Sequence, residues 1–379
     1  MGHRHNRIVL HFPGFEPLDA EAHRKRYERS AAQSAAIWGF QNTVGPMQGT
    51  GFAVESVGEG WRTDVRMHVF DHNELLRRLA DKPLPHRLAG GYRAAWRVAW
   101  QGAMVRYLRH AWRFGLFFLF PFLFTGAALV LTVLIGLAPL LSGLPAWACI
   151  ASVPLALAFF RFLFLPFSER LHTLHLFADW EMAVAMAALD RPEFNAWLEA
   201  RAVEARAALN EEADEYLITS HSMGANIAVH VIGMLLEREP ELFAGKTVVF
   251  ASLGGAVLQC GLLRSARVLR ARVGLIARCP DISWLEVHCL TDAVHFYKTK
   301  VVALCGHADA PQARIAFMRV KQMLTPEHYR KIKGDLLRVH RQYVLGADRK
   351  APFDFTVMTA GPLPAASFAD YSQDNLPPL

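Results

Sequence analysis

Between Phe114 and Phe167 this sequence runs through two long apolar stretches without a single carboxylate. The first extends from Phe114 to Ala138. The second extends from Ala146 to Phe167 and is interrupted only by Arg161, and the two are joined by the uncharged turn Pro139–Pro145. As a helix, each stretch is long enough to cross a hydrocarbon layer of about 30 Å. A chain of 379 residues has no core large enough to hide such a pair. The expectation is therefore a transmembrane helical hairpin over 114–168 that leaves whatever domain the rest of the chain builds. Prolines 121, 154 and 166 are compatible with membrane helices. Arg161 lies close enough to an end to reach the interface with its long side chain.

The flanks give an orientation. Residues 86–113 carry Arg87, Arg93, Arg97, Arg106, Arg109 and Arg113 and no acid, while Arg161 and Arg170 close the far side. Cations concentrated at both outer ends, with none in the connecting turn, place both ends in the cytoplasm. Tyr92, Trp96, Trp100 and Tyr107 share one side of a helix at 100° per residue. Residues 86–113 therefore read as a basic, aromatic helix lying at the bilayer surface. The net charge of +7 is accounted for by a lipid membrane as partner. The basic residues lie beside an apolar block and no zinc-finger, KH or RRM signature is present, so no nucleic-acid partner is expected. The five cysteines are odd in number and contain no C-x-x-C pair, which points to free thiols in a reducing compartment. The N-terminus shows neither a signal-peptide apolar region nor a myristoylation motif. His3 and His5 have no third ligand nearby in sequence, so no metal is expected.

Outside the hairpin the most informative stretch is Glu215–His230, E-Y-L-I-T-S-H-S-M-G-A-N-I-A-V-H. Residues 216–219 read as a buried strand, residues 225–232 as a helix, and Ser222 stands at the turn between them. This resembles the nucleophile elbow of the α/β-hydrolases, G-x-S-x-G, with Ser220 in place of the first glycine and Gly224 as the second. Positions two before and two after the nucleophile must be small, because strand and helix pass close together there. The resemblance implies that Ser222 is the nucleophile and that the Met223 amide, at a helix N-terminus, receives an oxyanion. Residues 7–12 form a strand ending in Pro13-Gly14-Phe15. The same resemblance makes the Phe15 amide the second oxyanion donor.

The remaining segments follow in order. Residues 19–38 read as a helix, Trp61–Phe70 as the second strand, and Asp71-His72-Asn73 as the cap of a short helix ending at Leu79. Residues 171–189 and 191–209 are helical, Lys246–Ser252 is a strand, and Trp284–Leu290 is the next strand. The basic segment containing Arg264, Arg267, Arg270, Arg272 and Arg278 reads as a lid, a membrane-facing surface or a solvated helix. Asp292 stands at the carboxyl edge of the 284–290 strand, where ligands and reactive groups gather in a doubly wound sheet, and is the expected triad acid. The D-A-V-H-F-Y segment around it also resembles the acid region of membrane-associated bacterial α/β-hydrolases. For the histidine, the order Ser–Asp–His leaves His307, which follows a strand-like V-V-A-L-C-G, and His328 and His340, which follow a strand at 314–320. His340 is taken on the same resemblance, with His307 and His328 as alternatives. His295 is set aside as too near Asp292 in sequence. Phe353–Phe355 reads as an edge strand and the tail beyond as loose.

The fold class expected is an α/β-hydrolase-like domain with a mostly parallel sheet and helices on both faces, interrupted by the inserted hairpin. The boundaries fall at 1–85, 86–113, 114–168 and 169–379, with the resemblance covering 7–83 and 170–358. The function expected is a cofactor-free, membrane-anchored serine hydrolase. Ser222, His340 and Asp292 would cleave an acyl ester or thioester, and an acyltransferase would use the same triad. The competing class is a non-catalytic membrane adaptor on the same scaffold. A transporter is disfavoured, because neither apolar run holds a carboxylate or histidine. The sequence does not specify an oligomeric state.

Overall fold

The computed structural model describes residues 3–379. Its centre is one eight-stranded sheet in the order β2-β3-β4-β1-β5-β6-β7-β8. The strands are β1 (His3–Phe12), β2 (Gln41–Gln48), β3 (Gly51–Gly58), β4 (Trp61–Val69), β5 (Glu215–His221), β6 (Val248–Leu253), β7 (Ile282–Cys289) and β8 (Arg314–Met318). From β4 through β8 every neighbouring pair is parallel, while β3 runs antiparallel to both β2 and β4.

Trp61–Val69 is thus the fourth strand and not the second. The meander before it escapes a periodicity reading for a physical reason. β2 is a half-exposed edge that contains Gly45 and Pro46, and its register shifts between Val44 and Met47. Proline inside a strand is tolerated at such a bulged edge, and glycine there weakens the alternation further.

Both faces of the sheet are buried. Ile8, Leu10 and Phe12 of β1 enter one hydrophobic cluster, while Val9 enters the other with Leu217, Val249 and Leu285. Continuous apolar strands are what a sheet covered on both sides requires. On the first face lie α2 (Asn73–Ala80), α3 (Leu84–Trp100), α4 (Ala103–His110) and the base of α5 (Trp112–Leu141). The second apolar stretch follows as one helical rod over Ala146–Arg170, containing α6 (Cys149–Ala158) and α7 (Leu165–Arg170). The chain returns to the first face with α8 (Thr173–Ala188) and α9 (Pro192–Leu209), and after β5 adds α10 (Gly224–Arg238), α11 (Val257–Gly261) and α12 (Arg267–Arg278). The short α13 (Val301–Leu304) completes that face. The opposite face holds α1 (Ala20–Trp38), α14 (Val320–Met323), α15 (Pro326–Ile332), α16 (Leu336–Arg341) and α17 (Phe355–Ala360).

The two apolar helices, Trp112–Leu141 and Ala146–Arg170, are long and apolar enough to span a membrane. Only 28% and 17% of their most apolar windows are buried, the reverse of a soluble core helix. Ile150, Phe162 and Leu141 are each at least 70% exposed. The base of α5 is anchored differently. Phe118 packs on the fully buried Trp180 at 4.6 Å between ring centres, and Phe122 stacks on Phe177 at 4.7 Å. Such aromatic contacts fix the first turns of the hairpin to α8.

Several expectations are corrected here. Residues 86–113 are two helices, broken at Gly102, whose φ of 73° is left-handed. Only Trp96 and Trp100 present a stacked exposed pair, while Tyr107 is buried in the core and donates its hydroxyl to the Gln259 carbonyl. The basic α12 packs one face across α10, with Arg272 largely buried on Glu237, while Arg264 just before it, Arg267 and Arg278 stay exposed. The V-V-A-L stretch before His307 is helix α13, not a strand. Residues 355–360 form the buried helix α17, with Asp354 accepting from the Thr356 and Val357 amides as its N-cap.

The tail is docked, not loose. Buried Arg7 donates to the carbonyls of Met358, Gly361 and Leu363, and the Ala365 amide donates to Glu215. A buried guanidinium must satisfy its donors, and Glu215 together with the tail's carbonyls does this.

Candidate active site

β5 ends at His221 and α10 begins at Gly224, so Ser222 occupies a two-residue reversal with φ of 52°. A left-handed serine costs about 1–3 kcal/mol and persists only where its surroundings enforce it. The enforcement is visible. A Cβ on Gly224 would stand 2.2 Å from the Phe12 carbonyl oxygen and 2.4 Å from that of Pro13. Glycine there lets α10 press against the end of β1, and Ser222 is turned up over the strand ends. Ser220, two residues before, is fully buried.

The loop after β1 lies against this turn. A Cβ on Gly14 would meet the His221 ring at 2.7 Å and the Ser222 Cβ at 3.2 Å. His175 donates from Nε2 to the Phe15 carbonyl at 2.9 Å. Glu16 bridges Arg26 of α1 at 2.6 Å and Arg341 of α16 at 2.5 Å. Burial opposes its ionisation, but Arg26, His221 and Arg341 outweigh this and hold its carboxyl down at about 2. The loop bearing Phe15 is therefore clamped from three sides.

Asp292 follows β7 and is 1% exposed. Its Oδ2 accepts from His340 Nδ1 at 2.7 Å and from the Tyr343 hydroxyl at 3.1 Å, while Oδ1 accepts from the Val294 amide at 2.8 Å. His295 Nδ1 stands 3.2 Å from the same Oδ2. The Cys289 amide donates to His295 Nε2, so the neutral His295 ring carries its proton on Nδ1, facing Asp292. Burial alone would raise the Asp292 pKa, but His340 and His295 outweigh it and keep the carboxyl well below its usual range.

His340 comes from α16, on the opposite face of the sheet from α10. His221 Nε2 donates to the His340 carbonyl at 3.0 Å, so the elbow itself holds the backbone of the histidine. Burial pushes the His221 pKa down to about 3, and the ring remains a neutral donor. With Nδ1 engaged by Asp292, His340 Nε2 is buried and has no hydrogen-bond partner among the described residues, Ser222 included. Without a substrate, such contacts are commonly long and tighten on binding.

Ser222 and His340 line one cavity of about 250 Å³ with Gly14, Phe15, Phe114 and Phe117. Met223, fully buried, begins the turn into α10. His307 lies elsewhere, with Nε2 on the Arg270 carbonyl at 2.8 Å and Nδ1 near Arg278. His328 pairs with Asp348 at 2.9 Å. Neither lines the cavity. His295, set aside on sequence, is the buried neighbour of Asp292 on its other side. Tyr343, three residues beyond His340, His221 and Glu16 carried no signal readable from sequence. The His340–Tyr343 spacing on one helical turn is the single local hint. Among the described residues no group of three or more His, Cys, Asp or Glu side chains is arranged to hold a metal ion.

A second carboxyl lines the cavity. Asp179 of α8 accepts from Gln259 Nε2 at 3.0 Å, and its burial pushes the carboxyl up to about 6. A carboxylic acid with a raised folded value is protonated in the native state at pH 5 and resists ionisation above it. Stability then falls as pH rises from about 4 to above 6. Asp179→Asn keeps an acceptor for Gln259 and removes the ionisation. It is expected to raise stability at pH 8 by on the order of 3 kcal/mol, seen as a higher melting temperature, and to change little at pH 4. Thermal melts at the two pH values check this; equal effects at both would contradict it.

No protein-family model, curated protein or solved structure matches this chain. The reading of the site therefore rests on its own geometry.

Proposed function

We propose that the chain is a membrane-anchored serine hydrolase of the α/β-hydrolase type that cleaves acyl esters or thioesters. One observation carries this reading. A buried Asp292–His340 pair leaves the Nε2 of His340 free in the same cavity as a serine held at positive φ between strand and helix.

In this mechanism the Ser222 hydroxyl attacks the acyl carbon and its proton passes to His340 Nε2. Asp292 keeps the other ring proton on Nδ1 and stabilises the imidazolium. The Met223 and Phe15 amides receive the carbonyl oxygen as it becomes negative. Collapse expels the alcohol or thiol, which takes the proton from His340. Water, activated by the same nitrogen, then attacks the acyl-serine and frees the carboxylic acid. If another alcohol or thiol attacks in place of water, the same steps give acyl transfer. No cofactor enters the scheme. A fluorophosphonate ester is expected to label the folded protein once. Folded protein that takes no label and turns over no ester or thioester in lipid would favour the adaptor reading.

The two apolar helices would cross the bilayer, with the sheet domain on the cytoplasmic side. The expected result of impermeant thiol labelling on intact cells, in a Cys149→Ser background, is modification of Ser142→Cys. Arg109→Cys and Arg170→Cys should be modified only after permeabilisation. Labelling of either flank from outside would overturn this topology.

A further inference from the structure

We propose that the apolar arm of the substrate reaches Ser222 through a groove at the base of the hairpin, so that long-chain acyl esters are taken directly from the bilayer. This rests on the hydrolase reading above and adds to it the substrate class and its route of entry.

A second cavity, of about 550 Å³, lies beside the one that holds Ser222. The two share Phe117, His172, Leu176 and Leu337; Phe117, Leu176 and Leu337 pack together with Val294, so the cavities adjoin across an apolar partition that an entering acyl chain would have to displace. The outer cavity is walled by Leu116 and Phe120 of α5 and by Leu336 of α16, and its mouth carries Trp112, Arg113 and Arg170. These last three residues mark the domain-side ends of the two apolar helices. Tryptophan and arginine at helix ends sit at headgroup depth. Arg113 lies over the Trp112 ring and donates to the Leu290 carbonyl. Neither arginine is paired with a carboxylate among the described residues, which leaves both to face lipid phosphates.

The outer cavity thus lies at the domain-side ends of the apolar helices and the inner one holds Ser222, with apolar side chains packed between them. The walls of the outer cavity are mostly apolar, with Arg113, Arg170, His172 and Asp335 as the charged or titratable lining, and Leu116 and Leu336 are half-exposed. A water-soluble short ester would fill the inner cavity and leave the groove empty. A long chain would desolvate both and hold its carbonyl at Ser222. Binding energy realised away from the reacting bond can then be used to orient it.

The test compares p-nitrophenyl palmitate with p-nitrophenyl butyrate on the full chain in phosphatidylcholine–phosphatidylglycerol vesicles. The wild type is expected to favour palmitate in kcat/KM by about tenfold or more. Leu336→Glu and Leu116→Gln place polar groups in the groove, and each is expected to lower the palmitate-to-butyrate ratio by about tenfold. A small fluorophosphonate reports in each variant whether the nucleophile is still assembled. If either variant is not recovered folded, Phe120→Ser and Leu336→Ser provide a milder test in the same direction. A wild type that prefers butyrate, or a ratio indifferent to the groove substitutions, overturns the groove while the hydrolase reading stands. A wild type that hydrolyses neither ester and takes no label removes the reading of Ser222 and the groove with it.

Discussion

Ser222→Ala is expected to abolish fluorophosphonate labelling and to lower ester turnover by about four orders of magnitude, without lowering the melting temperature by more than about 0.5 kcal/mol equivalent. The two halves of this expectation have separate causes. In the proposed mechanism the reacting atom is the hydroxyl oxygen, and Ser222 is the one serine lining the cavity. The fold does not depend on that oxygen. The turn is held by backbone hydrogen bonds, from the Ser222 amide to Leu253 and from the Ala225 and Ala256 amides to the Ser222 carbonyl. All three survive the substitution. Mass spectrometry of the labelled peptide and a thermal melt in the same detergent check the pair of outcomes. Continued labelling at another serine would show that the reactive centre lies elsewhere. His340→Ala is expected to reduce labelling to a similar degree, because an unassisted serine hydroxyl is a weak nucleophile near neutral pH.

Asp292→Asn should lower turnover by about four orders of magnitude and, unlike Ser222→Ala, should also destabilise the fold by roughly 3 kcal/mol at pH 7. The carboxylate accepts from His340, Tyr343 and the Val294 amide, with His295 also alongside. An amide has one oxygen where the carboxylate has two. Turning its NH2 toward His340 would force the ring proton onto Nε2, and the base would be lost. The pH dependence follows from the depressed folded value of Asp292. A carboxyl lowered on folding contributes its full stability above the unfolded value of about 3.9 and loses it as pH falls through the folded value. The gap between wild type and Asp292→Asn is therefore widest at neutral pH and narrows below about pH 4. Melts from pH 7 to pH 3 check this; a gap that grows on acidification would contradict the charge assignment.

What could be read from the chain and what could not divide along the range of the forces involved. The apolar hairpin is a local property. No carboxylate occurs from Phe114 to Phe167, and no neighbour in the fold can supply a polar face to such a run. The turn at Ser222 is also local, since a buried strand, a small residue on either side and a helix all lie within one short stretch. The mostly parallel, doubly covered sheet followed from strands apolar on both faces, which only helices on both sides can bury.

The edge meander β2–β3 was not legible, because Gly45, Pro46 and the bulge erase its alternation. Nor was the fate of Phe353–Phe355. Apolar residues in a fully enclosed segment carry no periodicity that separates helix from strand. The tail looked loose by composition, yet it docks because Arg7, more than 300 residues earlier, needs its carbonyls. Tertiary structure also decided which histidine meets Asp292. His307, His328 and His340 are all preceded by plausible elements. Only His340 rides on a helix carried to the sheet's carboxyl edge, with its backbone held there by His221. The sequence by itself determined where the chain is apolar enough to span a membrane and where it turns sharply, since both are written in neighbouring residues. The residues that share the cavity with Ser222, His340 and Phe15 among them, come from parts of the chain far apart in sequence, and close packing of the finished sheet is what sets them side by side.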